Sequence, residues 1–238
     1  MECVMQLSLL RNERAEQLAL ELEPAIPPCR DDIIESPECA SGVRLIDAWP
    51  NWPSHVAILT GPAGSGKTHL SSVWAAGARA RRIVGTELPG LDPTRFARGA
   101  VVIEHLDIAL EGERPRAAQT GLFHLLNTLR ESGGHLLATS RTLPSTWTLL
   151  VPDLASRLKG ATHVGLSAPN EEQMRAVLYK LFADRQLTVS PAVIETVASR
   201  MERSLGRARA LVTRIDRIAL AERRKIDHRL VLRALNSL

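Results

Sequence analysis

Aromatic residues are scarce in this chain, which has 238 residues of which only 3% are aromatic. We therefore expect a core built from aliphatic side chains. The chain also has no apolar run close to the roughly 20 residues that span a bilayer, and acidic residues interrupt its first thirty positions, unlike in a signal peptide. These absences favour a cytoplasmic protein with no membrane contact.

Cysteine is rarer still, with three residues. Cys3, Cys29 and Cys39 lie in the N-terminal sixth and lack the tight paired spacing of zinc or redox sites. We therefore expect inert thiols.

Lysine contributes little of the positive charge, because only four of the 30 basic residues are lysines. The net charge of +4 permits contact with nucleic acid without requiring it. Arginines are dense between positions 200 and 229. Such a cluster is either a solvated helix face or a surface that contacts phosphate or a partner.

The content of 45% hydrophobic and 24% charged residues is that of an average globular protein, which excludes a wholly disordered or fibrous chain. Residues 1–35 combine a short apolar patch, a charged stretch and three prolines, which predicts an extended or loosely ordered arm. Apolar residues at helical spacing over 40–48 end at a proline-rich stop. Strands are predicted at 55–60, 82–86, 100–104, 135–139 and 162–166.

Helical patterns separate most of these strands, and this alternation predicts a parallel sheet covered on both faces. From residue 169 onward the pattern is helical only, over 170–186, 190–201, 205–225 and 227–238. Asn170 and Ser190 are placed as N-caps, the second before a proline. The chain is thus divided into an arm (1–35), an α/β domain (36–168) and a helical domain (169–238).

The strongest motif is a complete phosphate-binding loop of the form G-x-x-x-x-G-K-[ST], placed between a strand and a helix. Its glycines let successive N–H groups point inward as an anion cradle at the start of the helix. The lysine can reach the β- and γ-phosphates, and the threonine hydroxyl can bind Mg²⁺. The loop consists of Gly61, Pro62, Ala63, Gly64, Ser65, Gly66, Lys67 and Thr68. It predicts an α/β P-loop domain that binds ATP or ADP with Mg²⁺.

A second strand ends in Glu104, which we assign to the magnesium shell together with Thr68. The next residue is His105, where many P-loop ATPases have a second acid that activates water. An imidazole is a poor substitute there, so intrinsic hydrolysis should be slow or absent. Asp107 lies too far along the chain to be a confident replacement.

A third strand ends in small polar residues at Thr139 and Ser140. Either hydroxyl could contact the terminal phosphate or the attacking water. The alternative is an ordinary polar strand end.

A pentapeptide in the arm has two adjacent leucines and a glutamine, and it consists of Gln6, Leu7, Ser8, Leu9 and Leu10. In an extended arm the leucines could enter an apolar pocket of a partner while the Gln6 amide forms a hydrogen bond. Burying two leucines contributes about 3–6 kcal/mol before the costs of ordering. The alternative is an apolar patch that folds back on the domain.

These features resemble a known family. The phosphate loop followed by His69 and Leu70, the segment Asp153-Leu-Ala-Ser-Arg157-Leu158 and the helical C-terminal part resemble the AAA+ core of the bacterial replication initiator DnaA. With the pentapeptide added, the chain is similar to the Hda family of DnaA-related regulatory inactivators. The resemblance covers residues 37–238 and the pentapeptide, and it implies an AAA+ sheet domain followed by an α-helical lid, without the DNA-binding domain of DnaA.

The resemblance also implies site residues and partners. The pentapeptide would dock on the β subunit sliding clamp of the DNA polymerase, and Arg157 would act as an arginine finger toward ATP held by DnaA. His69 would join the nucleotide site. Counting back from Asp216-Arg217 puts the position of the lid sensor at Gly206, and an alignment shifted by one residue puts it at Arg207. A homodimer is a further option, and DNA contact would be mainly indirect through the clamp.

The function implied is negative regulation of replication initiation through hydrolysis of DnaA-bound ATP, with weak or no ATPase activity of the chain itself. Two alternatives stay open. One is a DnaA-related loader or targeting adaptor, which would share the core but use its lid or arm differently. The other is a self-sufficient P-loop ATPase or kinase, which would need a substrate pocket and a competent base.

Overall fold

The computed structural model describes residues 28–96 and 98–237 of the chain. Within them five parallel strands form one sheet in the order β2-β3-β4-β1-β5. The strands are β1 (Val56–Thr60), β2 (Arg81–Ile83), β3 (Ala100–Ile103), β4 (His135–Ser140) and β5 (Thr162–Gly165). The predicted parallel α/β sheet is therefore confirmed. All five residues of β1 are buried, as expected of an apolar run in the middle of a covered sheet.

Helices cover both faces of this sheet. They are α1 (Ala40–Asp47), α2 (Lys67–Gly77), α3 (Leu106–Glu111), α4 (Pro115–Ser132) and α5 (Pro152–Lys159). Successive strand residues point to opposite faces, so Val101 and Ile103 join one hydrophobic cluster while Val102 joins the other. The helix α4 begins with a proline in its first turn and ends at Gly133, whose φ is +72°.

Strand β2 is shorter than the predicted strand over 82–86. After Val84 the chain turns into a 3-10 helix over Gly85–Glu87. The Glu87 carboxylate accepts a hydrogen bond from the Val84 N–H at 2.9 Å, which caps this turn. The turn thus ends the strand although the residues at 82–84 alone favour an extended conformation.

Three of the four tryptophans pack together under α1 and α2. Trp52 stacks on Trp74 with ring centroids 5.2 Å apart, and Trp49 meets Trp74 edge-on at 6.0 Å. The Trp52 indole N–H donates to the Leu45 carbonyl at 2.7 Å. The core is mainly aliphatic, as expected, but Trp147 joins the cluster on one face of the sheet, and Trp52 and Trp74 join the cluster on the other face.

The described part of the arm, residues 28–35, packs against the α/β domain. It contains a 3-10 turn over Arg30–Asp32, and Ile33 is buried in the cluster beneath α1. Arg30 donates to Asp47 at 2.8 Å and also pairs with Glu35. The ordered domain therefore begins before the predicted boundary at residue 36, while the pentapeptide at 6–10 lies outside the described residues.

The lid consists of α6 (Glu171–Asp184), α7 (Pro191–Arg200), α8 (Leu205–Glu222) and α9 (His228–Leu235) around its own hydrophobic core. The Asn170 side chain accepts the Gln173 N–H at 2.8 Å, which confirms this cap. Ser190 precedes α7 but makes no side-chain capping bond. Among the described residues, no helix combines the length and apolarity needed to cross a membrane.

Gly121 on α4 offers a test of the packing. A Cβ there would lie 2.0 Å from the Leu88 backbone carbonyl oxygen. We expect Gly121→Ala to destabilise the fold by about 1–3 kcal/mol, because backbone must move to make room. Chemical denaturation measures the change.

The matched control is Gly77→Ala at the end of α2, where an added Cβ meets nothing within 4 Å. It should leave stability unchanged or raise it by up to about 1 kcal/mol. Equal effects of the two substitutions would contradict the packing described here.

Candidate nucleotide-binding site

The register of the sheet brings three strand ends together. Thr60, the last residue of β1, lies opposite Ser140 of β4, and Ile103 of β3 lies opposite Ala138. Because the strands are parallel, the loops that follow them leave from the same edge. The phosphate loop is thereby placed beside the segments that start at Glu104 and Arg141.

A cavity of about 890 Å³ opens at this edge, between the phosphate loop, the segment 28–39 and the lid. Its floor includes residues 63–70 of the phosphate loop and α2. The lid contributes residues of α6 and α8, and Ile33 and Ile34 supply apolar surface from the N-terminal side. The cavity is thus polar and basic near the loop and partly apolar away from it.

The lid contacts the phosphate loop directly. The N–H of Leu205, the first residue of α8, donates to the Gly64 carbonyl at 3.1 Å. Gly64 has a φ of +76°, and a Cβ there would lie 2.3 Å from the Ser204 hydroxyl oxygen. Glycine is therefore needed at this position for the backbone conformation and for the approach of the lid.

Lys67 is buried inside the curl of the loop. Its ammonium donates to the carbonyls of Gly61 at 2.8 Å and Pro62 at 2.7 Å, and to the Ser65 hydroxyl at 3.3 Å. Burial lowers the pKa of Lys67, the nearby cation Arg141 lowers it further, and Asp107 opposes these effects. The Lys67 ammonium is thus held by the loop that the motif predicts to bind phosphate.

The predicted magnesium ligands differ in their placement. The Thr68 hydroxyl belongs to a residue that lines the cavity, whereas Glu104 does not line it. The Glu104 carboxylate instead accepts a hydrogen bond at 2.7 Å from Arg82, whose other terminal nitrogen donates to Ser72 at 2.9 Å. No cluster of three or more potential metal ligands occurs within residues 28–96 and 98–237. The one predicted carboxylate ligand thus lies outside the cavity lining and is held by a guanidinium, and in this arrangement it does not fit a magnesium ion.

The predicted phosphate sensor supports the neighbouring loop. Thr139 is fully buried, and its hydroxyl oxygen accepts the His105 N–H at 3.1 Å. The His105 side chain lines the cavity from the start of α3, where its φ is +54°. The Ser140 hydroxyl turns away and bonds Thr142. Neither hydroxyl of the 139–140 pair is therefore presented to the cavity.

Asp107 has a structural contact instead of a free carboxylate. It is buried, and one oxygen accepts the Arg141 backbone N–H at 2.9 Å. The other oxygen is buried without a hydrogen-bond partner among the described residues. Asp107 thus orients the turn that carries Arg141.

Arginines that the sequence did not point to line the cavity. Arg141 follows β4, and Arg209 lies one turn into α8. Arg207, the predicted lid sensor, points elsewhere and pairs with Glu202 at 2.8 Å. Gly206 lines the cavity. Arg209 lies three residues further along the same helix and therefore on the same face, which is the sequence signal for its position.

His69 also lines the cavity, as its place after the phosphate loop led us to expect. One of its ring nitrogens, Nε2, lies 3.4 Å from the Asp32 carbonyl oxygen. Burial lowers the pKa of His69, and the charge of Arg209 lowers it further. The ring is therefore favoured in its neutral form, and it joins α2 to the segment before α1.

Arg157 lies away from this cavity, on α5. Leu154 and Leu158 anchor the helix in the core, and the Arg157 guanidinium lies 5.6 Å from the centroid of the Phe123 ring. Within the described residues it forms no hydrogen bond or ion pair with a side chain. This packing restricts the arginine while leaving its donors free.

Comparison with known proteins shows similarity to the replication initiator DnaA. No protein-family model matches the chain. The chain is 28% identical over 109 residues to the chromosomal replication initiator protein DnaA of Cutibacterium acnes, and 25% identical over 151 residues to that of Lachnoclostridium phytofermentans. The first match covers 46% of this chain and 22% of that protein, and the second covers 61% and 33%. The chain therefore spans less than two thirds of these relatives.

Solved structures extend the likeness to nearly all of the chain. Domain III of the Thermotoga maritima replication initiator DnaA superposes with a TM-score of 0.76 at 18% identity, covering 89% of this chain and 97% of that one. AMPPCP-bound DnaA from Aquifex aeolicus gives a TM-score of 0.66 at 15% identity, covering 82% and 65%. A mutant of Thermotoga maritima RuvB gives 0.63 at 15% identity, covering 89% and 73%. The chain has an AAA+ P-loop fold with DnaA-like sequence over part of its length.

Proposed function

We propose that this chain is an AAA+ regulator of replication initiation that binds ADP or ATP and hydrolyses it slowly or not at all. The observation that carries the proposal is the combination of a complete phosphate loop with His105 where a water-activating acid would follow Glu104. Similarity to DnaA, including AMPPCP-bound DnaA, supports an adenine nucleotide as the ligand.

We further propose that the regulator acts on a neighbour. By analogy with the Hda family, the pentapeptide at 6–10 docks on the sliding clamp and Arg157 promotes hydrolysis of ATP bound to DnaA. A planar guanidinium contacts a γ-phosphate through two parallel hydrogen bonds and stabilises charge in the transition state. The position of Arg157 outside the chain's own cavity, with its donors free, supports a role toward another molecule.

The two lid arginines can be separated by substitution. We expect Arg209→Ala to weaken ADP binding about fivefold or more, because its charge faces the cavity. Arg207→Ala should leave binding unchanged, since Arg207 pairs with Glu202 outside the cavity. Titration with fluorescent ADP measures both variants. A loss confined to Arg207→Ala would place the lid sensor at the position predicted from sequence.

Arg157 is tested by single-turnover hydrolysis of ATP preloaded on DnaA, with DNA-loaded clamp present. Arg157→Ala should reduce stimulation by at least ~100-fold, since arginine fingers supplied in trans are worth ~10³–10⁵ in GTPase systems. Arg157→Lys should also be impaired because it lacks the planar fork. Nucleotide and clamp binding of the alanine variant should remain normal.

The control for Arg157 is Lys159→Ala, which removes an exposed basic residue from the same helix. It should stimulate hydrolysis like the unaltered chain. Full stimulation by Arg157→Ala would show that this residue is not the finger.

The arm is tested by the double substitution Gln6→Ala with Leu9→Ala. Clamp binding, measured by surface plasmon resonance, should be lost while the thermal melting temperature stays the same, because the proposed contact is with the partner. Arg11→Ala with Asn12→Ala serves as the neighbouring control. A lowered melting temperature of the first variant would mean that the patch packs on the domain.

A further inference from the structure

The nucleotide cavity is lined by more basic than acidic residues, and its two lining carboxylates, Asp32 and Asp184, both lie beside Lys180. On the lid side Lys180 lies 3.6 Å from Asp32 and 3.4 Å from Asp184, so its charge is largely balanced. At the phosphate loop Lys67, Arg82 and Arg141 line the cavity, and no carboxylate of the described residues lines it there. The lining of the loop end is therefore cationic, and the buried Asp107 carboxylate lies close enough to Lys67 to oppose part of this charge.

Arg82 binds the carboxylate of Glu104, which does not line the cavity. Its guanidinium holds Glu104 at 2.7 Å and Ser72 at 2.9 Å, so one side chain binds an acid that follows β3 and a hydroxyl from α2. The Glu104 side chain is only 24% exposed. Mg²⁺ in nucleotide sites is held by one or two carboxylates together with the phosphates and water. Here a guanidinium already neutralises the carboxylate that would serve.

Arg141 is placed to supply charge in place of an ion. Thr60 pairs with Ser140, so the residue after each, Gly61 and Arg141, leaves the sheet at the same level. Asp107 anchors the Arg141 backbone at 2.9 Å. The guanidinium is exposed to the cavity, forms no ion pair or hydrogen bond with any described side chain, and lies close enough to Lys67 to influence it electrostatically.

Building on the proposed nucleotide binding, we infer that this site binds the diphosphate or triphosphate without requiring a divalent cation. Arg141 and Lys67 neutralise the terminal phosphate, while Arg82 competes with a metal ion for the Glu104 carboxylate. A guanidinium suits this role because its planar fork forms charge-assisted, bidentate hydrogen bonds to phosphate oxygens. The arginines thus take the place of the ion that bridges phosphates in other P-loop sites.

The test is equilibrium titration of the full-length chain with fluorescent ADP and ATP, in magnesium chloride and in excess EDTA. We expect the unaltered chain to bind with dissociation constants that differ by less than about threefold between the two buffers, since protein cations supply the charge. A loss of about tenfold or more in EDTA would overturn the inference.

Substitutions assign the roles. Arg141→Ala should weaken binding in EDTA by about tenfold or more, and Arg141→Lys should restore part of it, because a charge remains without the fork. Arg82→Ala should make binding tighter in magnesium than in EDTA, because Glu104 becomes available to an ion. Adding Glu104→Gln to Arg82→Ala should remove that difference.

The control is Arg130→Ala, which removes an exposed arginine from the last turn of α4, away from the cavity. It should bind like the unaltered chain in both buffers, and thermal melting should show that every variant is folded. Unchanged binding by folded Arg141→Ala, or no magnesium dependence in folded Arg82→Ala, would contradict the inference.

Failure of this inference is distinguishable from failure of the proposed function. If the unaltered chain binds neither nucleotide in either buffer, nucleotide binding itself is wrong. If it binds only with magnesium and Lys67→Ala abolishes that binding, the nucleotide site stands and the metal-independent mode is wrong.

Discussion

The pairing of β1 with β4 is the interaction on which the rest of the site depends. Every residue of β1 is buried, and its register with β4 is continuous from Val56 to Thr60. Since side chains alternate between faces, a shift by one residue would turn the apolar set of each strand toward the wrong cluster. The packing on both faces thereby specifies the level at which the strands end. This register therefore determines the relative position of the phosphate loop and the turn that carries Arg141.

Charge around these strand ends is organised by contacts between elements. Arg82 of β2 reaches across to Glu104, and Asp107 of α3 holds the backbone of Arg141. These contacts place a neutralised acid and a free guanidinium on neighbouring loops. The partly exposed Arg82–Glu104 pair contributes little to stability, because solvent screens it. Its importance is in deciding which charges the cavity presents.

Much of the fold could be predicted from the sequence, because short apolar runs and helical spacing carry most of the information. The parallel sheet, the phosphate loop and the helical lid all follow from such local patterns. The pairing of Glu104 with Arg82 could not be predicted, because its partners are separated by 22 residues and meet only through adjacent strands. The direction of Arg207 likewise depends on its pairing with Glu202, which propensity does not reveal.

The hydrogen bond from the Leu205 N–H to the Gly64 carbonyl attaches the first turn of α8 in the lid to the phosphate loop. Whatever changes the conformation of Gly64 must therefore change the free energy of this lid position. Linkage between two binding sites is reciprocal. If a partner that binds the lid changes the affinity of the phosphate loop for its ligand, that ligand changes the affinity of the lid for the partner by the same factor. This backbone hydrogen bond is therefore the contact through which a coupling between the phosphate loop and the lid would act.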